Sequence, residues 1–367
     1  MPTLLPLHAG LMVLSIMMLN SGSVLQSVIK GFRLGNISGM LLSASMEKVC
    51  PATLKRYCCI CTLLIIVGEF SKNIAKRQLW RSDVSVFAFY LYLRAVMSYS
   101  INVKGNLMTF DVPAVMGILN VTPDSFYASS RVEGDALLAR AKDMLSAGAA
   151  ILDLGACSTR PGSEPVSEKE ELARLHAALD ILDKELPQAV ISVDTFRAAV
   201  VRECVKEHNV SIINDVSGYD WDSGMLDAVL EASLPYVLTH SVDVTSVECC
   251  TAQVLTSLSQ KLWQLRQGGL CDVIIDPGFG FGKTLEQNFE LFANLREFEM
   301  LDAPLLVGIS RKSMITKTLD VKAAEALEGT VALNTMALDR GAHVLRVHDV
   351  KEAAQAVALW QAVNKMK

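Results

Sequence analysis

The chain has 367 residues, 51% of them hydrophobic, and a formal net charge of −5, enough for one large domain with an additional segment or for two domains. The charge is unevenly spread: residues 1–107 carry eleven Lys/Arg against three acids (Glu47, Glu69, Asp83), and the remaining 260 carry a net of −13. An acidic body excludes a general nucleic-acid binder, which needs a basic face, and nine cysteines in no regular framework give no sign of a disulfide scaffold or an oxidising compartment.

Residues 1–107 read as an extension of unknown role, separate from a body at 108–367. Their apolar runs are Leu11–Leu19, Cys58–Val67 and Val84–Val96. The first two are short for a membrane span of about 20 residues, and Arg81, Asp83 and Arg94 flank or interrupt the third. No basic region precedes the first run, so a secretory signal is not expected. Cys58-Cys59-Ile60-Cys61 lacks a second ligand pair at zinc spacing, which favours apolar packing over metal. Two further readings stay open: the extension is a membrane anchor, or it is a translated upstream region with Met108 as the natural start.

From Pro113 the pattern becomes regular. Short apolar runs at Val115–Leu119, Ala150–Leu154, Val190–Val193, Ser211–Ile213, Tyr236–Leu238, Val273–Ile275, Leu305–Val307 and Val344–Leu345 have the length and composition of strands buried on both faces. Between them the sequence predicts helices over Asp135–Ala147, Ser167–Lys184, Thr195–Glu207, Val254–Gln267, Leu285–Leu295, Ala323–Arg340 and Val350–Lys365. Ser167-x-x-Glu170 predicts a capping box at the second of these. Eight strands alternating with helices over about 250 residues match a (β/α)8 barrel. A doubly wound sheet is the alternative, but it would carry its phosphate loop in the first βα turn.

Catalytic residues of a barrel lie where strands end and βα-loops begin. Those positions here are Asn120, Asp153, Asp194, Asn214, Thr239-His240, Asp276, Ser310-Arg311-Lys312 and Arg346-x-His348. Any one of them can be a helix cap or a turn former, but all eight strand ends are polar. The sixth opens Asp276-Pro-Gly-Phe-Gly-Phe-Gly-Lys-Thr284, a near match to a nucleotide-binding loop. Proline occupies the position of that motif's first glycine and offers no N–H to a phosphate. The segment therefore reads as a carboxylate followed by a glycine-rich loop, mobile and able to close over a reaction.

The motifs Met116–Phe126 (MGILNVTPDSF), Ser158–Gly162 (STRPG), Ser192–Thr195 (SVDT), Ile213–Asp215 (IND), Asp276–Lys283, Gly308–Ser313 (GISRKS) and Arg346–Asp349 (RVHD) occur in this order. With them the chain resembles the dihydropteroate synthase family of bacterial type over about residues 113–364. The resemblance implies a cytoplasmic transferase of folate biosynthesis that joins 6-hydroxymethyl-7,8-dihydropterin diphosphate to para-aminobenzoate with Mg2+, and a homodimer through outer helices. It implies that Asp194, Asn214, Asp276 and Lys312 hold the pterin, that Arg346 and His348 bind the diphosphate, and that Asn120 faces the metal. Catalytic roles fall to Asp194, Lys312, Arg346 and His348. Thr159, Arg160, Pro161, Phe281 and Ser313 are implied to surround the arylamine.

The chain departs from the family pattern at Thr239-His240-Ser241, where Met-His-Met is usual, at Cys157, where glutamate is common, and at Tyr127–Arg131. None of these removes a residue assigned to chemistry, so activity with altered kinetics or inhibitor response is expected. Two other readings remain: a pterin barrel that methylates a corrinoid protein from methyltetrahydrofolate, disfavoured by Arg346-x-His348 and Ser158–Gly162, and an inactive barrel kept as a binding scaffold.

Overall fold

Eight parallel strands, each apolar on its outward positions, form one sheet that curls until its edges meet. The structure, a computed structural model, describes residues 99–121, 131–157, 166–244 and 250–366. The strands are β3 (Ala114–Asn120), β4 (Ile151–Gly155), β5 (Ile191–Asp194), β6 (Ile212–Asp215), β7 (Tyr236–Thr239), β8 (Val273–Asp276), β9 (Leu306–Val307) and β10 (Val344–Val347). Hydrogen bonding runs in the order β8-β7-β6-β5-β4-β3-β10-β9. A parallel bridge from Ile275 to Leu305 joins the two edge strands, so the sheet is a barrel. The expected (β/α)8 architecture holds, and each of the eight apolar runs is a strand.

Around the barrel lie α1 (Arg131–Ser146), α2 (Glu168–Glu185), α3 (Ala198–Glu207), α4 (Met225–Ala232), α5 (Cys250–Gln267), α6 (Leu285–Ala293), α7 (Ser313–Leu319), α8 (Leu327–Asp339) and α9 (Val350–Asn364). Outward strand residues such as Leu152, Leu154, Ile213, Ile275 and Leu345 pack against helix residues such as Leu175, Leu179, Val229, Leu258 and Val357 in one core. α4 and α7, each only about two turns long, were not expected. The helix expected over 323–340 is instead a 3-10 turn, Ala323–Glu325, followed by α8. Ser167 caps α2 by accepting from Glu170 N–H, but the Glu170 carboxylate pairs with Arg174, so the cap is one-sided. The reciprocal capping box is at Thr284 and Gln287, at the start of α6.

The compact unit that holds the barrel begins at Ser98, earlier than the expected boundary at 107/108. The reason is a hairpin, β1 (Ser100–Val103) and β2 (Asn106–Thr109), paired in antiparallel register. Lys104 (φ 51°) and Gly105 (φ 84°) form its two-residue turn, whose paired positive φ values suit the twist of a tight hairpin. Ile101, Val103 and Phe110 pack under the barrel with Met116, Ile151, Ile212, Val237, Ile274, Leu306 and Val344. The hairpin is the barrel floor, and a start at Met108 would remove most of it. The cysteine cluster at 58–61 and the apolar runs of the extension lie outside the described residues.

Side chains alternate along a strand, so residues two apart share a face. One step up from the apolar floor, Ile151 is followed by Asp153, Ile212 by Asn214, Ile274 by Asp276 and Val344 by Arg346. A two-residue rise takes the interior from hydrocarbon to charge.

Candidate active site

Arg346 is the centre of the polar layer. Its Nε donates to Asp153 Oδ2 at 2.6 Å, and its terminal nitrogen reaches Asp194 Oδ2 and Asp153 Oδ2, each at 2.6 Å. Asn214 Nδ2 donates to the same Asp153 oxygen at 3.0 Å. Asp153 is wholly buried, and its other oxygen, Oδ1, has no hydrogen-bond partner among the described residues. A buried carboxylate oxygen left bare is costly, so this atom is a place where a donor belongs. Residue-by-residue reading placed Asp153 at a strand end but gave it no role. Its role depends on Arg346, on a strand far away in the sequence, and no local signal marks it.

Two carboxylates and a lysine complete the layer. Asp276 Oδ1 accepts from Gly278 N–H at 2.8 Å. Burial raises the Asp276 pKa, with Lys312 pulling the other way. Burial pushes Asp194 up to about 7 against the pull of Arg346. Lys312 is held down to about 8 by burial, offset by Asp276. Burial pulls the Arg346 pKa down too, but Asp153 and Asp194 more than reverse that, and the guanidinium stays charged. Asp153, Asp194 and Asp276 are thus gathered with Arg346 and Lys312 in one layer at the mouth.

The Lys312 ammonium donates to Phe279 O and lies 4.7 Å from the centre of the Phe281 ring. Ser313, beside it, begins α7 and is exposed. Arg311 holds this turn in place from the far side: it adopts a left-handed φ of 57° and its guanidinium grips both oxygens of Asp349, at 2.9 and 2.5 Å. That ion pair ties the Lys312 turn to the loop carrying His348. His348 lies just past β10, and its Nδ1 is 3.0 Å from Ser310 Oγ, which also accepts from His348 N–H at 3.2 Å. Ser310 is thus a second residue whose orienting contact the motif alone did not reveal.

Asn120 ends β3, the strand paired directly with β10. A Cβ on Gly155 would stand 3.5 Å from Asn120 Oδ1 and 3.6 Å from Asp194 Oδ2. Both oxygens therefore lie beside Gly155, and the Asp194 oxygen is already bonded by Arg346, which leaves Asn120 Oδ1 as the hard donor there. Such a donor suits Mg2+, which takes few protein ligands and completes its shell with water and phosphate oxygens. Cys157, two residues on, is half-buried; burial, reinforced by Glu171, raises its thiol pKa, so it stays protonated where the family carries a charge. Thr159, Arg160 and Pro161 lie outside the described residues.

The glycine-rich loop is folded as a hydrogen-bonded turn. Gly280 N–H donates to Asn288 Oδ1 at 2.7 Å, and Asn288 Nδ2 donates back to Thr284 O at 2.6 Å. Gly278 (φ 72°) is where the loop presses on the end of β7: a Cβ there would meet His240 O at 1.8 Å. The glycines serve close approach and sharp bends in a hydrogen-bonded turn.

Comparison with known proteins bears on this arrangement. The family model for pterin binding enzymes matches residues 116–348. The dihydropteroate synthase of Escherichia coli (strain K12) is 38% identical over 276 residues, covering 72% of this chain and 96% of that protein. That of Bacillus subtilis (strain 168) is 38% identical over 252 residues, covering 68% and 88%. Among solved structures, Xanthomonas albilineans dihydropteroate synthase with 4-aminobenzoic acid superposes with a TM-score of 0.68 at 36% identity, over 73% of this chain and 99% of that one. The same enzyme in complex with 7,8-dihydropteroate gives 0.66 at 34% identity, over 72% and 99%.

Proposed function

This chain belongs to the dihydropteroate synthase family of pterin-binding enzymes, and we infer that it joins 6-hydroxymethyl-7,8-dihydropterin diphosphate to para-aminobenzoate, releasing pyrophosphate and 7,8-dihydropteroate. The observation that carries the reading is the buried layer of Asp153, Asp194, Asn214, Asp276, Lys312 and Arg346, set one step above an apolar floor. The amino-pyrimidinone edge of a pterin alternates donors and acceptors. Asp276 has one oxygen on Gly278 N–H and offers the other to ring N–H groups; Asn214 and Asp194 address the rest of the edge, and Lys312 donates to the ring carbonyl. Asp153 acts through its neighbours, holding Asn214 and Arg346 in place.

The chemistry is substitution at the pterin methylene. The carbon–oxygen bond breaks with its electron pair leaving on pyrophosphate, the ring spreads the resulting cation, and the arylamine nitrogen forms the new bond and sheds a proton. Carboxylates already fixed around the ring, such as Asp194 and Asp276, stabilise that cation by position, without reorganising as it forms. Arg346 and His348 take the diphosphate, the latter held by Ser310. Asn120 would hold Mg2+, which when bound neutralises diphosphate charge. Thr159, Arg160, Pro161, Phe281 and Ser313 form the arylamine side.

The reading includes a homodimer through the outer helices: Leu359 (70% exposed), Val363 (61%) and Met366 (88%) make an apolar strip at the C-terminal end. Among the described residues no helix is long and apolar enough to cross a membrane, and the reading places the enzyme in the cytoplasm. The test is incubation with the pterin diphosphate, labelled para-aminobenzoate and Mg2+. Labelled dihydropteroate is expected. Pterin binding without product would sink the synthase reading and favour a scaffold or a methyltransferase.

A further inference from the structure

One residue of the glycine-rich segment has no part in the reaction as derived above. Lys283 stands where a nucleotide loop would carry its phosphate lysine, yet its ammonium turns inward. It donates to Gly278 O at 2.9 Å, Phe281 O at 3.0 Å and His240 O at 3.2 Å, and lies 3.2 Å from His240 Nδ1. Two of these acceptors are in its own loop and two belong to the residue that follows β7. Burial lowers Lys283 to about 8 and His240 to about 3, so the imidazole is a neutral acceptor. No carboxylate forms an ion pair with Lys283 among the described residues; Cys250, Asp276, Lys312 and Asp243 act on it from farther away.

Three carbonyl oxygens from two loops converge on this one nitrogen. Carbonyl dipoles pointed at a common centre repel one another unless a cation sits between them. The ammonium is therefore what allows the loop to lie flush on the β7 turn, at the approach that Gly278 makes possible. Phe281 is one of the residues whose carbonyl is held, and its ring is the one beside Lys312 Nζ.

We propose that Lys283 is a positioning residue for the arylamine: an internal cation that gathers the carbonyls of His240, Gly278 and Phe281 and so fixes the Phe281 ring against Lys312. The proposal rests on the reading that Phe281 lines the arylamine side, and the experiment separates the two. Full-length wild type, Lys283→Met, Phe281→Ala and the double variant are compared for the KM of para-aminobenzoate, the Kd of 6-hydroxymethylpterin and the Tm. Lys283→Met is expected to raise the arylamine KM about tenfold with the pterin Kd within about twofold, and to add less than about twofold in the Phe281→Ala background. An arylamine KM unmoved by Lys283→Met, where Phe281→Ala raises it, overturns the proposal. So does a loss of pterin affinity and Tm in step with the KM, which marks a general structural role. A KM unmoved by Phe281→Ala overturns the site reading itself. Should Lys283→Met not fold, Lys283→Gln and His240→Leu, each removing part of the staple, are expected to raise the same KM by a smaller factor. Wild-type values in both refute the assignment.

Discussion

Replacing Arg346 with methionine removes the cation that Asp153 and Asp194 share, while keeping a side chain of similar length in the barrel. The wild-type guanidinium makes contacts of 2.6 Å to both carboxylates. Breaking a buried pair from one side leaves uncompensated charge and costs about 3–5 kcal/mol. That loss should depend on pH in a definite direction. Asp194 lies at about 7 with Arg346 in place, and it rises further once the guanidinium is gone. An unfolded aspartate titrates near ~3.9. A folded value above that gives stability that is full below ~3.9 and is lost as pH rises through the folded value. The variant continues to lose stability above pH 7, where the wild type has levelled. Its deficit should therefore grow between pH 5.5 and pH 8 by up to about 1.4 kcal/mol, the one pH unit over which the wild type has levelled and the variant has not. Urea unfolding of both proteins at the two pH values measures the difference. Equal deficits at pH 5.5 and 8, or none at either, would refute the shared-cation account.

Pterin affinity should be highest between about pH 7 and 8, since Asp194 is ionised above the first value and Lys312 is protonated below the second; Asp194→Asn should abolish the acid limb of the affinity profile, and a limb that persists removes Asp194 as its source. A chain starting at Ser98, with an initiating methionine, should unfold as the full-length barrel does. One starting at Met108 loses the burial of Ile101 and Val103, about 3–5 kcal/mol by area, and comparable denaturation midpoints for the two truncations would show that the floor hairpin is dispensable. Thr284→Ala removes the α6 cap, in which Thr284 Oγ1 accepts from Gln287 N–H at 3.2 Å, and should lower stability by about 1 kcal/mol with the arylamine KM unchanged. A raised KM there would mean that the cap also sets the glycine-rich loop.

The barrel was legible because its signal is redundant: eight apolar runs, each ending in a polar residue, leave few topologies open. The polar layer was legible for the same reason, since Ile151/Asp153 and Ile274/Asp276 show the change from floor to mouth within a single strand. What stayed hidden depended on contacts across the barrel. Asp153 reads as one more strand-end carboxylate until Arg346, 193 residues later, is seen to bond it. Ser310 reads as part of a turn until His348 lies against it. The hairpin carried a local signal, alternating Ile101 and Val103 before a Lys-Gly turn, but it was masked by the apolar, cysteine-rich stretch before it. The cap at Ser167 was half right because Glu170 had a stronger partner, Arg174, one helical turn away.

The Gly-Lys-Thr ending shows how the same three residues can serve opposite ends of a loop's electrostatics. In a nucleotide loop the backbone N–H groups point outward to phosphate and the lysine joins them on the ligand. Here Pro277 withholds an N–H, the Gly278 and Gly280 N–H groups are taken by Asp276 and Asn288, and the carbonyls point inward instead. A loop with its carbonyls gathered inside needs its cation inside, and Lys283 supplies it; the threonine caps the helix that follows. The diphosphate of the substrate must then be met elsewhere on the rim. That task falls to β10, where the reading places Arg346 and His348 two residues apart. Two anion-binding loops at one mouth would compete for the same diphosphate. On the proposed reading, turning Lys283 inward leaves the β8 side for the arylamine and a single exit for the leaving group.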